Sequence, residues 1–131
     1  MKPLLVDSSY WIGLARRKLD PMTFLTTASY GRELAICGVV RCEVARGIRH
    51  ESALNRLRKF WDVMVYVPTD NAIWNEVEKL LWQTDRSGLQ IPLPDAVIAC
   101  CAQRIGAAVL TFDRHFREIP GLSVISDPNL I

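Results

Sequence analysis

The chain has 131 residues and a mass of 14.8 kDa, the size of one domain, and is 50% hydrophobic and 23% charged, enough apolar material to bury a core. That composition excludes disordered and fibrous classes, and the longest apolar run, Ala96–Ala102, is far below the ~20 residues of a membrane-spanning helix. The formal charge of +2 conceals a division, since residues 1–66 carry 11 Lys/Arg against 6 Asp/Glu and residues 67–131 carry 5 against 8.

Leu4-Leu5-Val6 predicts a buried strand. Asp7-Ser8-Ser9 supplies N-cap residues for a helix over about 10–16, and Pro21 opens a second helix over about 22–30, closed by Gly31. Residues 34–36 predict a second strand. A helix over about 39–46, stopped by Gly47, carries Glu43, and another follows over about 51–61. A third strand is expected over 63–67. Thr69 or Asp70 then caps a long helix over 71–86, in which Ile73, Val77, Leu80, Leu81 and Thr84 share one face, and Gly88 ends it. Pro92 and Pro94 lead into a helix over 95–105 with Val97, Ile98, Cys101, Ala102 and Ile105 as its buried stripe and Gly106 as its C-cap. A strand over 107–111, a short helix over 113–118 and a last strand over 122–125 complete the chain. Strands alternating with helices predict a single α/β domain over residues 1–131, three-layered α/β/α, with a central, mostly parallel sheet of about five strands.

Met1-Lys2-Pro3 leads into only three apolar residues before Asp7, which predicts no secretory leader, a cytoplasmic location and no membrane association. Cys37, Cys42, Cys100 and Cys101 form no Cys-x-x-Cys pair and no zinc pattern with His50 or His115, so they are expected as buried, reduced thiols. Arg41, Arg46, Arg49, Arg56, Arg58 and Lys59 crowd one stretch, and arginine outnumbers lysine 12 to 4. Such a patch suits phosphate contact, or equally a solvated helix face.

Ligands of open parallel sheets bind beyond the carboxyl ends of the strands. Asp7 follows the first strand directly, Asp113 follows the strand ending near Thr111, and Asp95 and Glu43 are lone charges in apolar surroundings. Taken one at a time, Asp7, Asp95 and Asp113 can be plain helix caps, but Glu43 is mid-helix and caps nothing. Carboxylates gathered at one edge repel one another unless a hard dication neutralises them. Magnesium suits such oxygen donors, and can generate a water nucleophile for phosphoryl displacement.

The segments Leu4–Ser9, Glu43-Val44-Ala45-Arg46-Gly47, Pro92-Leu93-Pro94-Asp95-Ala96-Val97-Ile98-Ala99 and Val109–Phe116 resemble, in order and spacing, the PIN-domain ribonucleases, specifically the VapC toxins. The resemblance implies a magnesium-dependent endoribonuclease, in which Mn2+ can substitute, cutting RNA and held inactive by a VapB-like antitoxin. Carried over by position, Asp7, Glu43, Asp95 and Asp113 match the acidic quartet, as catalytic and metal-binding residues, with Asp7 and Asp95 as direct ligands. Ser9 and Thr111 match polar positions beside the acids. Family members often carry Ser or Thr near Cys37 and an acid near His115, and this chain has neither.

Arg46, Arg49, Arg86, Arg114 and Arg117 are the candidate RNA phosphate contacts, and His115 a further substrate contact or a plain surface residue. Trp11, Trp61, Trp74 and Trp82 at helical spacings suit core, homodimer or antitoxin packing better than base stacking. Two other classes stay in view: a PIN-like module that binds RNA or protein without cutting, and a phosphoacceptor signalling domain. The latter needs paired acids after strand one and a late lysine, but Asp7 stands alone and no lysine follows Lys79. A haloacid-dehalogenase-like phosphatase needs Asp-x-Asp, and Ser9 holds the second position.

Overall fold

A computed structural model describes residues 1–29 and 31–126. Five strands, β1 (Leu4–Val6), β2 (Leu34–Cys37), β3 (Val65–Val67), β4 (Ala108–Leu110) and β5 (Val124–Ile125), form one sheet in the order β3-β2-β1-β4-β5. Every pairing is parallel, with Leu5 beside Ala35 on one side and Val109 on the other. β1 and β4 are wholly buried, and strands covered on both faces read as unbroken apolar runs, which is why Leu4–Val6 and Ala108–Leu110 show no alternation.

The helices are α1 (Ser8–Arg16), α2 (Pro21–Ala28), α3 (Gly38–Ala45), α4 (Glu51–Asp62), α5 (Asn71–Arg86) and α6 (Leu93–Arg104), and a 3-10 helix spans Arg114–Glu118. The expected three-layer α/β/α domain is therefore present. α1 packs on α2 and α3, and α5 on α6. α5 runs antiparallel to α6: Asp70, the N-cap of α5, pairs with Arg104 at the end of α6 at 2.7 Å. The C-terminal end of α5, with Arg86, thus returns to the end of α6 that carries Asp95. Among the described residues no helix is long and apolar enough to cross a membrane.

Several boundaries differ from the sequence reading. α4 continues to Asp62 and Val63 is its exposed C-cap, so β3 starts only at Val65. α6 begins at Leu93 rather than 95, because Pro94 is well tolerated in a first helical turn, and Asp95 is consequently not a cap. Ala96–Ala102 is buried all round rather than along a stripe, since α6 lies between β1, β4, α3 and α5. α2 ends at Ala28, and Tyr30 is outside the described residues. The short helix over 113–118 is of 3-10 type with Asp113 as its cap, and the last strand is confined to Val124–Ile125. Gly88 and Gly106 have the positive φ expected of residues that end helices, at 86° and 65°.

Cys37, Cys100 and Cys101 are buried free thiols, as expected, but Cys42 is exposed because it falls on the outer side of α3. Cys37 and Cys101 hydrogen-bond to each other, and that bond draws the Cys37 thiol down while pushing Cys101 up. Trp11 and Trp61 meet edge to face in the core with ring centroids 6.1 Å apart. Trp74 and Trp82 are instead exposed on α5.

Candidate metal centre

The strand order reverses beside β1. The chain proceeds from β1 to β2 and β3 on one side and returns to β4 and β5 on the other. Such a switch point leaves a crevice at the carboxyl ends of the two diverging strands. Asp7 follows β1 there, and Thr111 and Asp113 follow β4.

Asp7 is 3% exposed, and its amide continues the sheet by donating to Leu110 O at 2.9 Å. Its side chain caps α1 by accepting from the Ser9 amide at 3.3 Å. Its Oδ2 also accepts from Ser9 Oγ at 2.7 Å and from Thr111 Oγ1 at 2.8 Å. Each of these hydroxyls, its proton given to Asp7, accepts a backbone amide from the next loop: Phe112 N reaches Ser9 Oγ at 3.2 Å and Asp113 N reaches Thr111 Oγ1 at 2.9 Å. Ser9 and Thr111 therefore orient Asp7 and fix the loop that carries Asp113. A buried carboxylate needs several donors, and this one has them.

Ser8 was not singled out by sequence reading, yet its Oγ lies 2.7 Å from Glu43 Oε1 and 3.3 Å from Asp7 Oδ1. It joins the acid after β1 to the acid on α3. Only its place beside Asp7 hinted at this, because the link from Ser8 to Glu43 spans 35 positions. Glu43 is partly buried in mid-helix and caps nothing. Asp113 caps the 3-10 helix through its Oδ1, which accepts from His115 N at 2.9 Å.

Asp95 stands in the first turn of α6, half-buried. Burial, then the charges of Asp7, Asp113 and Glu43, raise its carboxyl to about 6, with His115 pulling slightly the other way. Asp95 is thus within electrostatic reach of Asp7, Glu43 and Asp113, at the carboxyl edge of the sheet. Among the described residues, however, no three His, Cys, Asp or Glu side chains close into a ready-made cage for an ion.

The arginines divide. Arg46 lies one turn beyond Glu43 at the end of α3, Arg114 follows Asp113, and Arg86 closes α5 near the start of α6; all three are exposed. Arg49 and Arg117 are also exposed, the first in the connection between α3 and α4 and the second in the 3-10 helix. Arg86 stacks over the Trp82 ring at 4.7 Å. Arg41, part of the basic stretch, is occupied structurally: it pairs with Asp62 at 3.3 Å and lies over the rings of Trp61 and Tyr66.

An aromatic anchor next to Asp113 was also not foreseen. Phe112 stacks on Tyr10 with centroids 4.4 Å apart, and Arg17 covers its ring at 4.4 Å. Gly13 leaves the space for this: a Cβ there would stand 2.6 Å from the Phe112 ring.

This chain belongs to the PIN-domain family, whose model matches residues 4–122. It is 27% identical over 124 residues to Ribonuclease VapC4 of Mycobacterium tuberculosis, spanning 93% of this chain and 95% of that protein. The fold matches DNA-bound VapBC from Salmonella typhimurium with a TM-score of 0.76 at 20% identity, covering 95% of this chain and 98% of the other. It also matches a toxin-antitoxin complex from Klebsiella pneumoniae with a TM-score of 0.70 at 21% identity, over 95% and 97% of the two chains.

Proposed function

We propose that this chain is a divalent-metal-dependent endoribonuclease toxin, restrained by a VapB-like antitoxin. The observation that carries the reading is Asp95 beside the switch point of the sheet, where burial and then the charges of Asp7, Asp113 and Glu43 raise its carboxyl to about 6. Its likeness to Ribonuclease VapC4 supports the choice of RNA as substrate. A pure binding surface for phosphate has no use for four carboxylates.

The donor set fits Mg2+ or Mn2+. It is all oxygen, it is under repulsive strain that a dication relieves, and Asp95 and Asp7 are the residues that would hold the ion, with Glu43 and Asp113 beside them. When bound, such an ion supplies a lowered pKa for water and charge neutralisation at the phosphate. Ser9 and Thr111 keep the Asp7 carboxylate aimed, Ser8 ties Glu43 to it, and Arg46, Arg49, Arg86, Arg114 and Arg117 offer guanidinium groups to the RNA backbone.

The partner surfaces follow from apolar exposure. A cavity of about 500 Å3 among α1, α2, α3 and α4, lined by Trp11, Ile12, Val44, Ile48 and Leu57, would take an apolar antitoxin segment. That a toxin-antitoxin complex from Klebsiella pneumoniae shares the fold supports an antitoxin as the kind of partner. The exposed Trp74 and Trp82 of α5 would seat a homodimer contact.

The test is thermal unfolding of the parent, Asp7→Asn and Asp95→Asn proteins in EDTA and in rising Mg2+ or Mn2+, followed by RNA cleavage. At tenfold excess over Kd the parent should gain ~1.4 kcal/mol, roughly 5 °C, and both variants should lose most of the shift. Absence of both the shift and metal-dependent cleavage would leave a PIN domain that only binds.

A further inference from the structure

We propose that a cleft beside Asp95 is a subsite for a single cytosine base next to the scissile phosphate. This rests on the nuclease reading for its place in the reaction, though not for its ability to bind a base. The cleft lies between the 89–92 loop and the 3-10 helix, has a volume of about 160 Å3, and Asp95 forms part of its lining. A cavity of ~150 Å3 accepts a benzene ring, so this cleft has room for one six-membered ring.

The chemistry of the walls selects the occupant. Ile91, Pro92 and Ile119 present apolar surface suited to the faces of a heterocycle and unsuited to phosphate or sugar. The polar lining is Gln90, Asp95, His115 and Glu118. The Gln90 amide offers both a donor and an acceptor, and the Glu118 carboxylate offers acceptors only. His115 lies beside Glu118, Nδ1 to Oε2 at 3.9 Å, on the exposed side. A carboxylate accepts from the exocyclic amine of cytosine and repels the carbonyl oxygen that uracil has in the same place. A base held here touches the same residue, Asp95, that the nuclease reading places at the phosphate.

The experiment is an amide NMR titration of the full chain with cytidine and with uridine, both without phosphate and in EDTA. Cytidine should move the amides of Gln90, Ile91 and residues 115–119, with an affinity about tenfold above that of uridine. Glu118→Gln should bring the two nucleosides level, and Ile91→Trp, which fills the cleft, should abolish both responses. If Ile91→Trp does not fold, Gln90→Ala at an exposed position serves, and should weaken both. Equal response to the two nucleosides in the parent overturns the proposal, as does silence of these amides at tens of millimolar. Because neither metal nor phosphate is present, the outcome is separate from that of the nuclease test. A chain that cleaves RNA but ignores cytidine loses the subsite alone, and one that binds cytidine but cleaves nothing loses the nuclease reading alone.

Discussion

At the residue scale, Asp95 concentrates the electrostatics of the carboxyl edge. Its carboxyl titrates at about 6 in the folded chain against an ordinary 3.8, so between those values the native state holds a proton that the unfolded state has lost. Stability must then fall as pH rises through that window. Asp95→Asn removes the repelling charge, and in EDTA at pH 7 the variant should be more stable than the parent by about 1 kcal/mol, after allowance for solvent at a half-exposed site. Thermal scans from pH 3.5 to 7.5 check this, and the difference should close below about pH 4. Asp7 behaves oppositely to removal of its neighbours. Ser9→Ala or Thr111→Val deletes one of two short hydroxyl donors to a buried carboxylate, and each should cost about 1–3 kcal/mol in urea unfolding at pH 7. An unchanged midpoint would mean that water replaces the lost hydroxyl.

Among elements, α1 shows how the site is braced. Helix propensity alone favours alanine over glycine by about 1 kcal/mol. Gly13→Ala should nevertheless destabilise, by about 1 kcal/mol or roughly 4 °C, because the new Cβ meets a Phe112 ring that Tyr10 and Arg17 hold in place. A differential scanning measurement decides the sign, and a rise in Tm would show that Phe112 can swing away. β1, α5 and the C-caps at Gly88 and Gly106 were legible in the sequence because each is governed by nearby residues. β3 was not. Val63 and Met64 look like strand residues, yet they continue from α4, whose last turn is set by Trp61 in the core. α6 likewise read as one-sided, since burial from all directions leaves a nearly featureless apolar helix whose period carries no signal.

For the whole molecule, the apolar cavity among α1 to α4 has an exposed lip at Ile12. Ile12→Arg should leave folding and RNA cleavage intact while abolishing rescue by the antitoxin, measured as cleavage in the presence of a stoichiometric partner. Retained inhibition would place the antitoxin elsewhere. Charge, by contrast, did not predict surface use. The basic stretch from Arg41 to Lys59 reads as one patch, but folding assigns Arg41 to Asp62 and two aromatic rings while leaving Arg46 and Arg49 exposed.

What the sequence by itself determined was the alternation of strand and helix, and with it the edge at which Asp7 and Asp113 must emerge, because Asp7 follows β1 directly, Asp113 comes three residues after β4, and parallel strands end on one side. Ser9 and Thr111 were expected beside the acids, but which acid each hydroxyl serves, and the part of Ser8, was decided only by the tertiary structure. Ser8 meets Glu43 across 35 positions, and Thr111 meets Asp7 across 104. Hydrogen bonds of that reach depend on strand order and helix packing, and neither leaves a local pattern. The cleft beside Asp95 has the same origin: the 89–92 loop and the 3-10 helix each look like an ordinary connection until β4 and α6 bring them together.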